Sequence, residues 1–488
     1  MPPSRFGLPM LYAAALLAVA WHSRFAMLSN DVFPLRWQAE HLSLYHPETF
    51  FDGFFPIGYP LLLRVMSLTG NPVLASLLLH IAFAAFYVVL VRRLLPAILD
   101  SAAALVALPL VLFTPQIAGN VLSVTPDFPA AFCVVAAFFL FTRGDTGRNI
   151  FLAGVCMGAG YLFRTHVIIL AVSFALAVLL LEKSHRLRTV FWFCVGVLPF
   201  VIAQGLLQVW SGHGFFENAQ AFNIWRTMYG MDWNNPPALG GASVLDVIRE
   251  HPQVFFAAYW GAIVQGSLYL LPCLIAMPFL WVKRRNLPHR MLMVFTIAAL
   301  FYLILTAIGG SPRNVALVIP ILVADTIFVI GLAFARVHDA RKQAFALVLA
   351  VLLWCSGIIG IFIFSNRSTR RVRDYTNDER LLNVQSKADA LKVYTDDFDF
   401  YFPGLRYETP RESGGWPEAG LPHYIEEFPH IRDSSARVLH DDLVKSGVHW
   451  AMFRIPPYDG RGAESASSDT ALFRPIYRTP MHVIYRVE

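Results

Sequence analysis

The sequence predicts a polytopic α-helical membrane protein of about eleven transmembrane helices, followed by a C-terminal extracytoplasmic α/β domain. Its 488 residues are 56% hydrophobic and only 15% charged, which is more apolar than a soluble domain needs to fill its core. Apolar stretches long enough to cross a hydrocarbon layer of about 30 Å recur from Leu8 to about Phe364. Residues 365–488 then carry 17 basic and 19 acidic side chains. We therefore assign 1–364 to the membrane domain and 365–488 to a soluble domain.

Clusters of basic residues predict how the helices are oriented. Cytoplasmic loops carry an excess of Lys and Arg, and five clusters each close an apolar run: Arg92 with Arg93, Arg143 with Arg148, Lys183 with Arg186 and Arg188, Lys283 to Arg285 with Arg290, and Arg336 with Arg341 and Lys342. The N-terminus is therefore expected in the cytoplasm and the tail outside, in a bacterial inner or plasma membrane. The basic excess lies wholly in residues 1–364, with 22 basic against 14 acidic side chains, so it indicates topology and not a nucleic-acid partner.

One apolar stretch, residues 150–182, is too long for a single crossing and has basic clusters at both ends. Both ends inside require an even number of crossings, so two short helices are expected to meet at residues 163–166. Their junction is expected to lie below the outer surface. Arg164 and His166 interrupt the apolar sequence there, and a cation in that place needs an anionic partner. A phosphate or a neighbouring carboxylate would serve.

The tail alternates strand-like and helical sequence. LKVYTDDFDFYF and VHWAMFRI have strand composition, RVLHDDLVKSG has the pattern of a helix that ends at Gly447, and ALFRPIYRT and MHVIYRV form a strand pair. This pattern predicts a small α/β domain.

Asp31 is the first candidate for chemistry. It follows the first span in SNDVFPLRWQAEH, at the start of a predicted interfacial helix over residues 31–45 in which Leu35, Leu42 and Tyr45 would face lipid. The functional interpretation is a general base near the membrane surface, where a lipid head group and a water-soluble acceptor can meet. The alternative is an acid that only stabilises a helix N-terminus through the helix dipole.

Asp127 is the second candidate, in SVTPDFP. Thr125 is expected to be the N-cap, Pro126 the first helical residue and Asp127 a first-turn acid, and capping alone would explain the pattern. The loop opens on the same side as Asp31. The two carboxylates could then share a divalent cation, the one cofactor that the pattern allows, or orient an acceptor hydroxyl.

Three further features lie in residues 1–364, and the last of them is in the predicted outer loop 211–252. Arg313 in GGSPRN starts the tenth span on the outer side, either as a phosphate ligand or as a snorkelling arginine. Asp325 falls near the middle of that span, where it either marks an ion pathway or is hydrogen-bonded to an adjoining helix. The aromatic residues Trp225, Tyr229 and Trp233 share one helical face, as an interfacial belt or as a stacking platform for sugar rings or isoprenoid.

Together these motifs resemble the GT-C glycosyltransferases, polytopic enzymes that use polyprenyl-phosphate-linked sugars and include protein mannosyltransferases and bacterial aminoarabinose transferases. The resemblance covers about residues 8–364. It rests on Asp31 after the first span, the following GYPLLLR, SVTPDFPAAF at the fourth span, the GAGYLFRTH turn, and SPRN before a span that contains proline.

The resemblance implies transfer of a sugar from a polyprenyl-phosphate donor to a hydroxyl of an extracytoplasmic glycan, lipid or protein, with inversion at the anomeric carbon. It implies that Asp31 is the catalytic base and that Asp127 assists or binds acceptor or metal. Many members carry a paired acidic motif in the first loop, whereas Asn30 precedes Asp31 here. The residues implied to hold the lipid phosphate are the outward cations Arg36, Arg164, His166 and Arg313.

Two other classes of protein remain open at this stage. A transporter or flippase for a lipid-linked saccharide would use Asp325 as its coupling acid, although such proteins often contain internal repeats and none is evident here. A non-catalytic membrane scaffold that displays the α/β tail is the third interpretation.

Overall fold

The computed structural model describes most of the membrane part and pieces of the tail. The described ranges are 7–23, single residues and short runs within 35–51, 55–69, 72–144, 146–182, 185–216, 248–249, 251–309, 315–333, 339–376, 393–395, 436–445, 450–454, 469–478 and 482–487.

The membrane part is built from α-helices joined by short turns. In chain order they are α1 Gly7–Ser23, α2 Gly58–Ser67, α3 Pro72–Ile98, α4 Ser101–Leu112, α5 Asp127–Thr142, α6 Gly147–Phe163, α7 His166–Leu181, α8 Arg186–Trp210, α9 Pro252–Gln265, α10 Ser267–Lys283, α11 Leu287–Thr306, α12 Ile319–Ala333 and α13 Asp339–Thr376. Short 3-10 or π turns lie at Pro47–Phe50, Pro115–Gly119, Ala307–Gly309 and Val315–Leu317.

Length and composition decide which helices can cross a membrane. By these criteria four described helices, in α3, α8, α11 and α13, are each long and apolar enough, and two bent pairs bring the number to six. The bent pairs are α4 with Pro115–Leu122, at 46°, and α9 with α10, at 71°. The helices α1, α5, α7 and α12 contain shorter apolar stretches. A polytopic helical membrane protein is thus confirmed, and the number of eleven crossings stays a prediction.

The interruption predicted at residues 163–166 is present. Helix α6 ends at Phe163 and α7 begins at His166, so the long apolar stretch forms two short helices of 17 and 16 residues. Arg164 has extended backbone angles, φ −146° and ψ 122°. The helical hydrogen-bond ladder breaks there, and the Arg164 side chain is placed at the end of the bundle.

Glycines bring α6 and α8 into backbone contact. A Cβ atom on Gly154 would collide with the carbonyl of Phe193, and one on Gly196 would collide with the carbonyl of Phe151. Small residues at four-residue spacing are a common way to pack membrane helices closely, and Gly158 follows Gly154 at that spacing. This contact fixes α6 and hence the position of its C-terminal end.

Aromatic side chains fill the core between α5, α7 and α11. The ring of Phe138 stacks on Phe295 with centroids 4.5 Å apart, and Phe174 lies within 6.0 Å of Phe138 and 6.2 Å of Phe295. All three side chains are fully buried. These three helices therefore pack against one another through a buried aromatic core at this level.

Two expectations about the outer loops are wrong. Leu35 was expected to face lipid, but its side chain is fully buried in the protein core, whereas Tyr45 is exposed. Thr125 was expected to cap α5, but the helix begins one residue later, with Pro126 at the N-cap and no capping side-chain bond. The physical reason for Leu35 is that an apolar stripe can pack equally well against lipid or against other helices.

The described pieces of the tail form a mixed four-stranded sheet with one helix. The strands are β1 Val393–Thr395, β2 Trp450–Arg454, β3 Phe473–Arg478 and β4 His482–Val487, and helix α14 covers Ala436–Lys445. Their order is β1-β2-β4-β3, with β1 parallel to β2 and the other two pairs antiparallel. These elements coincide with the strand-like and helical sequences of the tail.

Candidate active site at the interrupted helix

A buried ion pair lies where α6 and α7 are interrupted. The Nε and Nη2 atoms of Arg164 each donate to one carboxylate oxygen of Asp127, both at 2.8 Å. The two side chains are 11% and 12% exposed. Two parallel charge-assisted hydrogen bonds hold both groups in one orientation. Of the two anionic partners that the sequence allowed for Arg164, the structure contains the carboxylate.

The local sequence explains why these two groups can meet. Asp127 lies in the first turn of α5, where its charge is favoured by the helix dipole. Arg164 follows the last residue of α6, and its backbone N–H still bonds to the carbonyl of Gly160. Because α5 and α6 are antiparallel neighbours, the start of one helix lies beside the end of the other.

The segment Phe55 to Tyr59 packs against this pair. The ring of Phe55 lies 5.8 Å from the guanidinium carbon of Arg164, a cation–π contact. The backbone N–H of Ile57 donates to Oε1 of the buried Gln204 on α8, at 3.2 Å. Gly58 lies so close to Leu162 that a Cβ atom would meet the Leu162 carbonyl. Only glycine fits there.

Tyr59 connects this segment to the loop before Asp127. Its hydroxyl donates to the carbonyl of Val124 at 2.7 Å and lies 3.1 Å from Nε2 of His80. All three side chains are fully buried. Val124 has φ +56°, a left-handed conformation that a β-branched residue adopts only under strain of roughly 1–3 kcal/mol. The Tyr59 bond therefore stabilises an unfavourable backbone three residues before Asp127.

Tyr302 on α11 also lies near the pair. Its side chain is fully buried, and its hydroxyl interacts electrostatically with both Asp127 and Arg164. Sequence reasoning missed Tyr59, His80, Gln204 and Tyr302. The available signals were His80 and Gln204, polar side chains within apolar spans, and Tyr59, which lies in the GYPLLLR motif.

Other predicted site residues are placed only in part. His166 is the first residue of α7, half-buried and two positions from Arg164. The candidate base Asp31, the cations Arg36 and Arg313, and the aromatic residues Trp225, Tyr229 and Trp233 lie outside the described residues.

The described residues do not favour a metal at Asp127. Both of its oxygens accept hydrogen bonds from Arg164, and the described part of the chain contains no group of three or more His, Cys, Asp or Glu side chains able to hold a metal ion. A divalent cation would have to share these two oxygens with the guanidinium, whose positive charge would repel it. Asp127 in this arrangement is an arginine partner.

Asp325 lies in another part of the bundle. It is fully buried on α12, and the hydroxyl of Thr296 on α11 lies 2.7 Å from its Oδ1. Of the two interpretations, the structure contains the hydrogen bond to an adjoining helix.

An apolar groove of about 560 Å³ lies between the α4 region and α13, lined in part by Phe113, Ser356 and Gly357. None of its lining side chains is ionisable. Its size is typical of a ligand pocket, but it lacks groups able to perform acid–base chemistry.

Comparisons with known proteins find one similar family and several similar structures. Residues 55–207 match the family model of dolichyl-phosphate-mannose-protein mannosyltransferases. The matched segment begins at Phe55 and contains Tyr59, Asp127, Arg164 and Gln204. No curated protein sequence matches the chain.

Two solved structures have a similar fold. The crystal structure of ArnT from Cupriavidus metallidurans, bound to undecaprenyl phosphate, matches with a TM-score of 0.54 and 13% identity over 98% of each chain. The archaeal oligosaccharyltransferase AglB from Archaeoglobus fulgidus, in complex with an inhibitory peptide and a dolichol-phosphate, matches with a TM-score of 0.50 and 12% identity over 92% of this chain and 69% of that chain. The chain thus shares the fold of these two structures, and its segment 55–207 is similar to the mannosyltransferase family model.

Proposed function

We propose that this chain is a membrane glycosyltransferase that moves a sugar from a polyprenyl-phosphate donor to a hydroxyl of an extracytoplasmic glycan, lipid or protein. The observation that carries the proposal is the buried Arg164, held by Asp127 at a helix interruption inside the segment that matches the mannosyltransferase family. The undecaprenyl phosphate in the similar ArnT structure supports the same class of donor.

In this proposal Arg164 contacts the donor phosphate and Asp127 positions Arg164. A guanidinium has five N–H donors in a planar arrangement that matches phosphate oxygens. Asp127 balances the charge of Arg164, so other cations must supply the net positive charge that attracts the phosphate. We assign that role to Arg36, His166 and Arg313.

The proposed reaction is a single displacement. Asp31 takes the proton of the acceptor hydroxyl, and the acceptor oxygen attacks the anomeric carbon from the face opposite the phosphate. The bond between that carbon and the phosphate oxygen breaks, and polyprenyl phosphate leaves with the electron pair. The product has inverted configuration. Preorganised cations stabilise the negative charge on the leaving phosphate, which is commonly the largest contribution to catalysis in a water-poor site.

The proposed topology puts this chemistry on the outer face. Eleven crossings with a cytoplasmic N-terminus bring Asp31, Asp127 and Arg164 to the same side as the C-terminal domain. The aromatic residues Trp225, Tyr229 and Trp233 are proposed to stack against the sugar or the isoprenoid. Asp127 has no metal in this scheme, because its oxygens are bonded to Arg164.

A transfer assay tests the base assignment. Purified full-length protein would be incubated with radiolabelled polyprenyl-phosphate sugars and an envelope extract, and Asp31→Asn is expected to lower transfer by roughly 100-fold or more, the usual contribution of a general base. Asp325→Asn is the matched control, since its amide oxygen can still accept from Thr296, and it is expected to retain activity. Wild-type transfer by Asp31→Asn would show that the base is another residue. Loss only in Asp325→Asn would favour a coupled transporter.

A further inference from the structure

We propose that Tyr59 and His80 form a positioning clamp that sets the geometry of Arg164 through the strained Val124. This inference rests on the proposed function, because it concerns how the phosphate-binding arginine is held. The clamp is the hydrogen-bonded series from His80 to the Tyr59 hydroxyl to the Val124 carbonyl.

The direction of the hydrogen bonds follows from the single proton on the tyrosine hydroxyl. At 2.7 Å the hydroxyl donates to the Val124 carbonyl, which cannot itself donate. The contact with Nε2 of His80, 3.1 Å away, is then a hydrogen bond only in the tautomer with the proton on Nε2, and the Tyr59 oxygen accepts from that N–H. Hydrogen bonds in series polarise one another in a low-dielectric interior. The imidazole thus strengthens the bond from Tyr59 to Val124.

Val124 is the residue on which the clamp acts. A valine at φ +56° persists only where the surroundings hold it, and the fully buried Tyr59 and His80 are the side chains that contact its carbonyl directly or through one bond. Two neighbours in the loop add no hydrogen bond of their own: Pro126 has no backbone N–H to donate, and the Thr125 hydroxyl has no hydrogen-bond partner among the described residues.

Val124 is connected to Arg164 through Asp127, which follows Val124 by three residues. Pro126 restricts the chain after Val124, and Asp127 begins α5 immediately afterwards. Both Asp127 oxygens then hold Arg164. If the Val124 carbonyl moves, the start of α5 moves with it, and the guanidinium loses its orientation. Neither Tyr59 nor His80 contacts the phosphate in this scheme.

The chain offers a matched control for the clamp. Tyr87 is also fully buried and lies in the same region, 5.6 Å from the ring of Phe128. Its hydroxyl has no hydrogen-bond partner among the described residues. Tyr59→Phe and Tyr87→Phe therefore remove the same atom from equally buried rings, and they differ in whether that atom holds Val124.

Binding of two lipids to the detergent-solubilised full-length protein tests the proposal. The probes are undecaprenyl phosphate and the uncharged undecaprenol. Tyr59→Phe is expected to weaken the Kd for the phosphate by roughly 3- to 10-fold, the size of one buried hydrogen bond, and to leave undecaprenol binding unchanged. Tyr87→Phe is expected to change neither.

Second-site and conservative variants test whether Tyr59 and His80 position Arg164 or only stabilise the fold. Adding Val124→Gly to Tyr59→Phe is expected to restore much of the phosphate affinity, because glycine adopts positive φ without steric strain. His80→Gln, which keeps an N–H donor, is expected to bind phosphate better than His80→Leu. These two rescues are readouts that a purely structural role of the tyrosine would not produce.

Three results would contradict the proposal or the function beneath it. If Tyr59→Phe binds both lipids like wild type while Arg164→Gln loses the phosphate, the clamp is wrong and the proposed function stands. If Tyr59→Phe weakens both lipids equally and Val124→Gly does not rescue it, the hydroxyl only stabilises the fold. If Arg164→Gln binds undecaprenyl phosphate like wild type, the phosphate role of Arg164 itself is wrong.

Discussion

The ion pairs at the two ends of the helical bundle differ in burial and in distance. At one end Asp127 and Arg164 form two hydrogen bonds of 2.8 Å with side chains 12% and 11% exposed. At the other end the Glu182–Arg290 and Asp100–Lys342 pairs lie at the longer distance of 3.3 Å. The arginine of the first is 40% exposed and the aspartate of the second 54%.

The difference shows which end is organised for precise positioning. An exposed pair is screened by water and contributes about 0–1 kcal/mol. A buried pair gains little over apolar packing but becomes very unfavourable when one partner is removed. Burial at the Asp127 end therefore secures one orientation of the guanidinium, and the opposite end holds its helices together with weak, adaptable contacts.

Removing Asp127 should have the largest effect. Asp127→Ala leaves the Arg164 guanidinium buried without its main counter-charge, and the free energy of unfolding in mixed micelles is expected to fall by about 3–5 kcal/mol. The double variant Asp127→Ala with Arg164→Met removes both charges and is expected to recover much of that loss. An equally unstable double variant would mean that the pair stabilises the fold by itself.

Asp325 is a buried acid without an arginine partner among the described contacts, so it shows how much stability a single neutral hydrogen bond to a buried acid contributes. Thr296→Val keeps the side-chain shape but removes the hydroxyl 2.7 Å from Oδ1 of Asp325, and it is expected to lower stability by about 1–3 kcal/mol. Thr296→Ser keeps the hydroxyl and is the control, with a smaller loss. If Thr296→Val lowers the free energy of unfolding as much as Asp127→Ala does, the burial of a polar group without its partner would explain both losses. The large loss expected at Asp127 would then not be specific to the ion pair.

Substitutions in the exposed Asp100–Lys342 pair are expected to change the free energy of unfolding least. Asp100 also caps α4 by accepting the backbone N–H of Ala103 at 2.8 Å. Lys342→Met and Asp100→Asn both remove the ion pair and keep the cap, so each is expected to change unfolding by less than about 1 kcal/mol. Asp100→Ala removes the cap as well and is expected to cost about 1 kcal/mol. A large effect of Lys342→Met in thermal unfolding would contradict the assignment of this pair as weak.

The sequence predicted part of the candidate site. The break at residues 163–166 followed from length and flanking basic clusters, because a stretch of that length cannot be one span with both ends inside. The sequence also indicated that Arg164 needs an anion. It did not indicate which anion, because Asp127 lies 37 residues away along the chain and meets Arg164 only when α5 packs beside α6.

The errors have the same origin. Leu35 was assigned to lipid because its spacing is amphipathic, yet the structure buries it in the core. Thr125 has the composition of an N-cap, yet α5 begins after Pro126 and the Thr125 hydroxyl makes no capping bond. Local pattern describes what a residue prefers, and the surrounding helices decide whether that preference is met.

The sequence alone determined the class of this protein, because hydropathy, span length and basic clusters follow from the cost of placing charge and unbonded backbone in lipid. The sequence also indicated Asp127 and Arg164 as candidate site residues. Only the tertiary structure decided that they bind each other and that Tyr59 and His80 hold the strained Val124 beside them. Those contacts join residues 21 to 65 positions apart, and such pairs are set by helix packing, which a local pattern does not encode.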